Sequence, residues 1–69
     1  MRIKTDAPGR SVREIGPGDY VRVDGKLERV VANTAEGAAT TPKDWTVVTE
    51  RGARGMFQIG RYAKKEDVE

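Results

Sequence analysis

The sequence predicts an all-β fold, a small and strongly bent antiparallel barrel of four to five strands with a flexible N-terminal arm. Three observations carry that expectation. The stretches Tyr20 to Asp24 and Met56 to Tyr62 alternate apolar and polar residues, the two-residue period of a half-buried strand. Asp24-Gly25 stands between two apolar segments, and glycine accepts the positive φ that a tight hairpin turn demands. No segment sustains a helical period over a useful length, and closing a short sheet into a barrel removes its adhesive edges.

The 69 residues leave room for one hydrophobic core. A core of that size rarely supplies more than about 3–5 kcal/mol without a further staple. Cysteine and histidine are both absent, which excludes disulfides and zinc held by sulfur or imidazole. Good packing or self-association must then supply the stability. The N-terminus, Met1-Arg2-Ile3-Lys4-Thr5-Asp6, has no apolar run behind it, so no signal peptide is expected. No stretch approaches the roughly 18 apolar residues of a membrane span. A soluble, cytoplasmic protein with no membrane partner is the expectation.

Residues 1–10 are poor in apolar side chains and end in a Pro8-Gly9 turn signal, so they read as a flexible leader; residues 11–69 form the single small β-barrel domain. Ser11 to Glu14 has the capping-box spacing, yet Gly16-Pro17-Gly18 follows too soon for a long helix. A short strand or single turn is expected there, with Val12 and Ile15 anchored in the core. The segment Ile15 to Lys26 organises the chain: a turn, a first strand with Val21 and Val23 on one face and Tyr20 and Arg22 on the other, then the Asp24-Gly25 turn. Leu27 to Ala32 makes the second strand, whose broken alternation predicts a bulge near Arg29 or cover on both faces. Residues 33–44 are small, polar and rich in breakers, and are expected to form a long mobile loop, the alternative being one helical turn over Ala35 to Ala39. Trp45 to Glu50 is β-branched and aromatic, the third strand. Arg51 to Gly55 is expected as a hairpin loop, and Met56 to Tyr62 as the last strand with Phe57 and Ile59 inward. Val68 is expected to plug one end of the core.

The net charge is only +2, but its distribution is uneven. Between Arg51 and Lys65 the chain carries Arg51, Arg54, Arg61, Lys64 and Lys65 and no acid, before Glu66, Asp67 and Glu69. With Phe57 and Tyr62 interleaved, these five cations are the candidate nucleic-acid contacts, neutralising phosphates while an aromatic face stacks on bases. The competing reading is a solvated face whose cations pair with Glu28, Glu50, Glu66 and Asp67. Tyr20, Arg22 and Trp45 are the candidate partner-binding residues, since Trp45, Tyr20 and Tyr62 have the makings of an aromatic cage. For Trp45 the alternative is a core lid at a strand start.

The order of parts resembles a Src-homology-3-like or KOW-type small barrel over about residues 12 to 68. The resemblance rests on Gly18-Asp19 followed by Tyr20-Val21-Arg22-Val23, the tight Asp24-Gly25 turn, a strand ending in Val-Val, and Trp45-Thr46-Val47-Val48. It implies a barrel used as a binding module for DNA, RNA, peptides or other subunits. A fainter similarity is to the plasmid-borne type II dihydrofolate reductases, small barrels that work as a tetramer. Gly18-Asp19-Tyr20-Val21-Arg22 and Phe57-Gln58-Ile59-Gly60 stand in the order of that family's barrel-opening and pore-lining segments, with Phe57 and Gly60 replacing its valine and tyrosine. Arg51-Gly52-Ala53-Arg54-Gly55 is similar to the backbone-clamping loop of KH domains, although that loop joins helices and this one lies between strand patterns.

Catalysis has little to draw on. There is no cysteine nucleophile, no histidine base and no Walker-type phosphate loop, and no spacing marks a carboxylate pair or a metal site. The expectation is therefore a non-enzymatic, cofactor-free binding module, with nucleic-acid contact through the basic C-terminal hairpin as the first reading. The second is a protein-binding or self-associating assembly protein of the kind phages and plasmids use.

Overall fold

Asp24 and Gly25 both take positive φ, 51° and 77°, and close a tight turn between the first two strands. The computed structural model describes residues 1–69. Its strands are β1 (Tyr20–Val23), β2 (Lys26–Asn33), β3 (Thr46–Thr49), β4 (Gly52–Gly55) and β5 (Ile59–Ala63). They form one sheet in the order β4-β3-β2-β1-β5, every neighbouring pair antiparallel. The sheet curls into a half-barrel, compatible with a Src-homology-3-like fold, and β4 and β5 are left as its two edges.

Alternation sets the two faces. Val21 and Val23 of β1 and Val47 and Thr49 of β3 point into the concave side, where Val12, Ile15, Val30, Ala35 and Trp45 complete the core. Val12 and Ile15 reach it from a 3-10 turn, Val12–Glu14, so the expected anchors are in place. The capping-box spacing is used as well: the Glu14 carboxylate accepts the Ser11 N–H at 2.6 Å.

Four local expectations are corrected. The broken alternation of β2 is not cover on both faces: an irregularity between Val30 and Ala32, beside the expected position near Arg29, turns Val31 and Ala32 out to solvent. Arg51 to Gly55 is not a loop: the turn takes only Glu50 and Arg51, because the Thr49 hydroxyl accepts the Arg51 N–H at 3.1 Å and Gly52 supplies a φ of 132°. The glycines that suggest a loop instead line β4. Phe57 does not point inward but is 97 % exposed, since Met56 to Gln58 form the β4–β5 turn. Gln58 closes that turn by donating its N–H to the Gly55 carbonyl (3.0 Å) and accepting the Gly55 N–H on its side chain (2.8 Å). Only Ile59 of the expected inward pair packs against the core.

The fourth correction concerns residues 33–44, a segment whose composition promises almost no burial. Ala35 is fully buried in the core. Asn33 holds it there, accepting the Ala35 N–H (3.0 Å) while its amide donates to the carbonyls of Val12 (2.7 Å) and Ile15 (2.9 Å). The leader lies along the C-terminal segment: Ile3 bridges Val68, and Arg2 and Glu69 exchange backbone hydrogen bonds at 3.0 and 2.9 Å. Val68, half-buried, meets Ile3 there.

Candidate nucleic-acid interface

The C-terminal cations do not share a face, because three buried carboxylates take up basic side chains from the chain at large. Glu28, on the only strand position occupied by an acid, pairs in register with Val21 and therefore faces inward. Arg54, paired with Val47, faces inward too and clamps both Glu28 oxygens at 2.9 Å, while the Thr49 hydroxyl donates to Oε1 at 2.7 Å. Those hydrogen bonds, the one from Arg54 foremost, hold the Glu28 carboxyl below the usual carboxylate range against the cost of its burial.

Asp19 is the second. Burial alone would push its carboxyl up, but the Gly16 N–H (2.8 Å), the Lys65 N–H (2.9 Å) and the Lys64 ammonium (3.0 Å) more than offset it and leave it lowered. The third is Asp67, lowered chiefly by the Arg10 guanidinium, whose Nε lies 2.9 Å away. Every buried side-chain polar atom has a partner.

Of the predicted contacts, then, Arg54 and Lys64 are committed to internal ion pairs. Lys64 also donates to the Glu14 carbonyl at 3.0 Å. Arg51 is exposed at the β3–β4 turn and Lys65 is exposed on the closing 3-10 turn, Lys65–Asp67. Tyr62 pairs with Val21, faces inward and meets Trp45 edge-on, ring centroids 5.9 Å apart; burial raises its phenol above its ordinary value. Trp45, 6 % exposed, is core. Tyr20 lies on the opposite face of the sheet, so the three rings form no cage.

What the fold does gather is an outward surface. Register places Arg61, Arg22 and Leu27 side by side across β5, β1 and β2, and Tyr20 and Arg29 in the adjacent row, whose β5 member, Ala63, is buried. The charged residues on this face of the strands are all arginines, since the strands' one acid is turned inward onto Arg54. Arg29 is paired with Glu50 just beyond the strands, at 3.1 Å and largely in solvent. Arg22 and Arg61 stand directly opposite one another and neither forms an ion pair. Arg61 makes one long hydrogen bond, 3.4 Å, to the Ala7 carbonyl. A shallow depression beside Leu27 is lined by Met1, Arg2, Arg22 and Lys26, and a second by Tyr20, Arg29, Glu50 and Arg51. Arg29 has no signal in the sequence beyond its charge, because only the pairing of β1 with β2 puts it beside Tyr20.

No family model matches this chain, and neither a curated protein nor a solved structure does.

Proposed function

We propose that this chain is a non-enzymatic nucleic-acid-binding module that takes the phosphate backbone on the outward face of its half-barrel. One observation carries the reading: Arg22 and Arg61 face each other across β1 and β5 with no carboxylate to pair them. Like charges directly opposite on neighbouring strands destabilise a sheet, so this pair works against folding unless an anion joins it. The adjacent row holds Arg29 and the half-buried Tyr20, and the depression beside Leu27 adds Arg2 and Lys26. A planar guanidinium pair suits bidentate contact with phosphate oxygens, and Tyr20 offers a ring for a base or sugar to rest on. The contact is sequence-tolerant and salt-dependent, because phosphates carry no sequence and their neutralisation releases counterions.

The reading moves the interface from the C-terminal hairpin to the sheet. Of the five hairpin cations, Arg61 is central to it, Arg51 borders it, and Arg54 and Lys64 are internal. Fluorescence anisotropy with labelled single-stranded and duplex oligonucleotides at about 50 mM salt tests it. Charge reversal at Arg22 and Arg61 is expected to weaken binding uniformly across sequences. It is also expected to lower the slope of log affinity against log salt by about 1 for each phosphate no longer neutralised. Lys43→Glu, at an exposed position of the 33–44 segment, serves as the control and leaves both unchanged. Undetectable binding at that salt, or binding without a salt slope, rejects the reading.

A further inference from the structure

The two depressions of the outward face share Met1 and Leu27 as a common wall, and they differ in chemistry. The one lined by Arg2, Arg22 and Lys26, about 320 Å3, holds cations and no acid. Arg2 pairs with Glu69 in solvent, whereas Arg22 and Lys26 form no ion pair. The other, about 290 Å3, is mixed: Tyr20 and Leu27 give it apolar walls, and Arg29, Glu50 and Arg51 bring donors and an acceptor to it.

Each depression suits a different part of a nucleotide. Unpaired cations take phosphate oxygens. A tyrosine ring takes the flat face of a base, and with donors and an acceptor nearby the amino and carbonyl groups of any base edge find a partner. The Arg29–Glu50 pair does not close the second depression, because both side chains are more than half exposed and a solvated pair of this kind holds weakly. The spacing joins the two. Tyr20 and Arg22 stand two residues apart on β1, about 7 Å along the strand, the length of one nucleotide in an extended chain.

We infer that the ligand of this face is single-stranded nucleic acid, lying along β1 with a phosphate at Arg22 and Arg61 and one base unstacked into the depression beside Tyr20. The inference rests on the reading of the outward face as a phosphate surface and adds the strandedness of what binds there. A duplex offers its phosphates to the arginines but keeps the faces of its bases stacked on one another, so the ring of Tyr20 goes unused unless a base leaves the stack. A single strand gives up little to expose one base. The outward side is also the convex side of a curled sheet, which a straight duplex meets over a short length and a flexible strand can follow.

Fluorescence anisotropy at about 50 mM salt tests it with three probes of equal length: a mixed-sequence single strand, its duplex, and a strand of abasic sites that keeps the phosphates and lacks the bases. The wild-type chain is expected to bind the mixed strand about tenfold tighter than either of the others, the lower part of the range for one stacked base. Tyr20→Ala is expected to lose that tenfold toward the mixed strand and nothing toward the abasic one. Tyr20→Leu, which keeps apolar bulk on β1, reads the same loss should the alanine variant not fold. Binding of none of the probes rejects the outward-face reading and this inference together. Salt-dependent binding that is equal for all three leaves that reading in place and overturns the inference alone, as does a Tyr20→Leu variant that binds the mixed strand as the wild type does.

Discussion

The Asp19 carboxylate accepts the backbone N–H of Lys65 at 2.9 Å, joining residues 46 positions apart. Its other oxygen takes the Gly16 N–H and the Lys64 ammonium, and the Asp19 carbonyl accepts the Val30 N–H of β2 at 2.8 Å. One residue thus fixes the turn that starts β1 and the 3-10 turn that ends the fold. In a chain without disulfides this is the kind of staple a small core requires.

Asp19→Ala is expected to cost about 3 kcal/mol, because it leaves two backbone donors and an ammonium without their acceptor in a site that is 3 % exposed. In a domain of this size that lowers Tm by at least about 10 °C, measurable by calorimetry. Asp19→Asn keeps acceptor geometry on one oxygen and is expected to fall between the two. Equal melting of all three proteins would show that the carboxylate ties nothing.

Asp19, Glu28 and Asp67 all have carboxyls lowered in the folded state. The unfolded chain therefore takes up protons first as pH falls. The stability these groups contribute is complete above their unfolded values, near about 4, and drains away below them. Tyr62 acts at the other end: its raised phenol means the unfolded chain loses its proton first, so stability declines above about pH 10. Chemical denaturation across pH is expected to give a plateau between these limbs. Glu28→Gln should flatten part of the acid limb, and an unchanged limb in that variant would count against the Arg54 pair.

Asn33→Ala is expected to cost about 2 kcal/mol, since the carbonyls of Val12 and Ile15 lose their donor and Ala35 loses its acceptor. Asn33→Asp should be worse, because a carboxylate would face the same two carbonyls. Amide exchange gives a local readout: the Ala35 N–H is expected to be protected in the wild type and to exchange quickly in Asn33→Ala.

Arg22 and Arg61 yield opposite expectations for folding and for binding. Replacing either with glutamine relieves like-charge repulsion across β1 and β5 and is expected to raise stability by about a few tenths of a kcal/mol. The same change is expected to weaken oligonucleotide binding. Denaturation and anisotropy on one set of variants separate the two, and a loss of stability in both variants would show that the pair supports the fold.

Several parts of this architecture are legible in the sequence because they depend on neighbours along the chain. Alternation at Tyr20 to Val23 and the β-branched run at Thr46 to Thr49 each set one face inward, and Asp24-Gly25 fixes a hairpin through backbone sterics alone. The Met56 to Tyr62 stretch misleads because its alternation runs on past the strand, into a turn closed by Gln58. Residues 33–44 mislead because small side chains signal little burial, whereas Asn33 organises them through carbonyls distant in sequence.

The sequence by itself determined the class of fold, the lack of covalent or histidine-held staples, and the position of the Asp24-Gly25 turn, all of which follow from composition, period and local conformational preference. Only the tertiary structure decided which charges remain available. Arg54 and Arg61 are equivalent in the sequence, yet strand pairing turns one inward onto Glu28 and the other outward beside Arg22. An ion pair is set by distance in space, and that distance is fixed by register between strands rather than by separation along the chain.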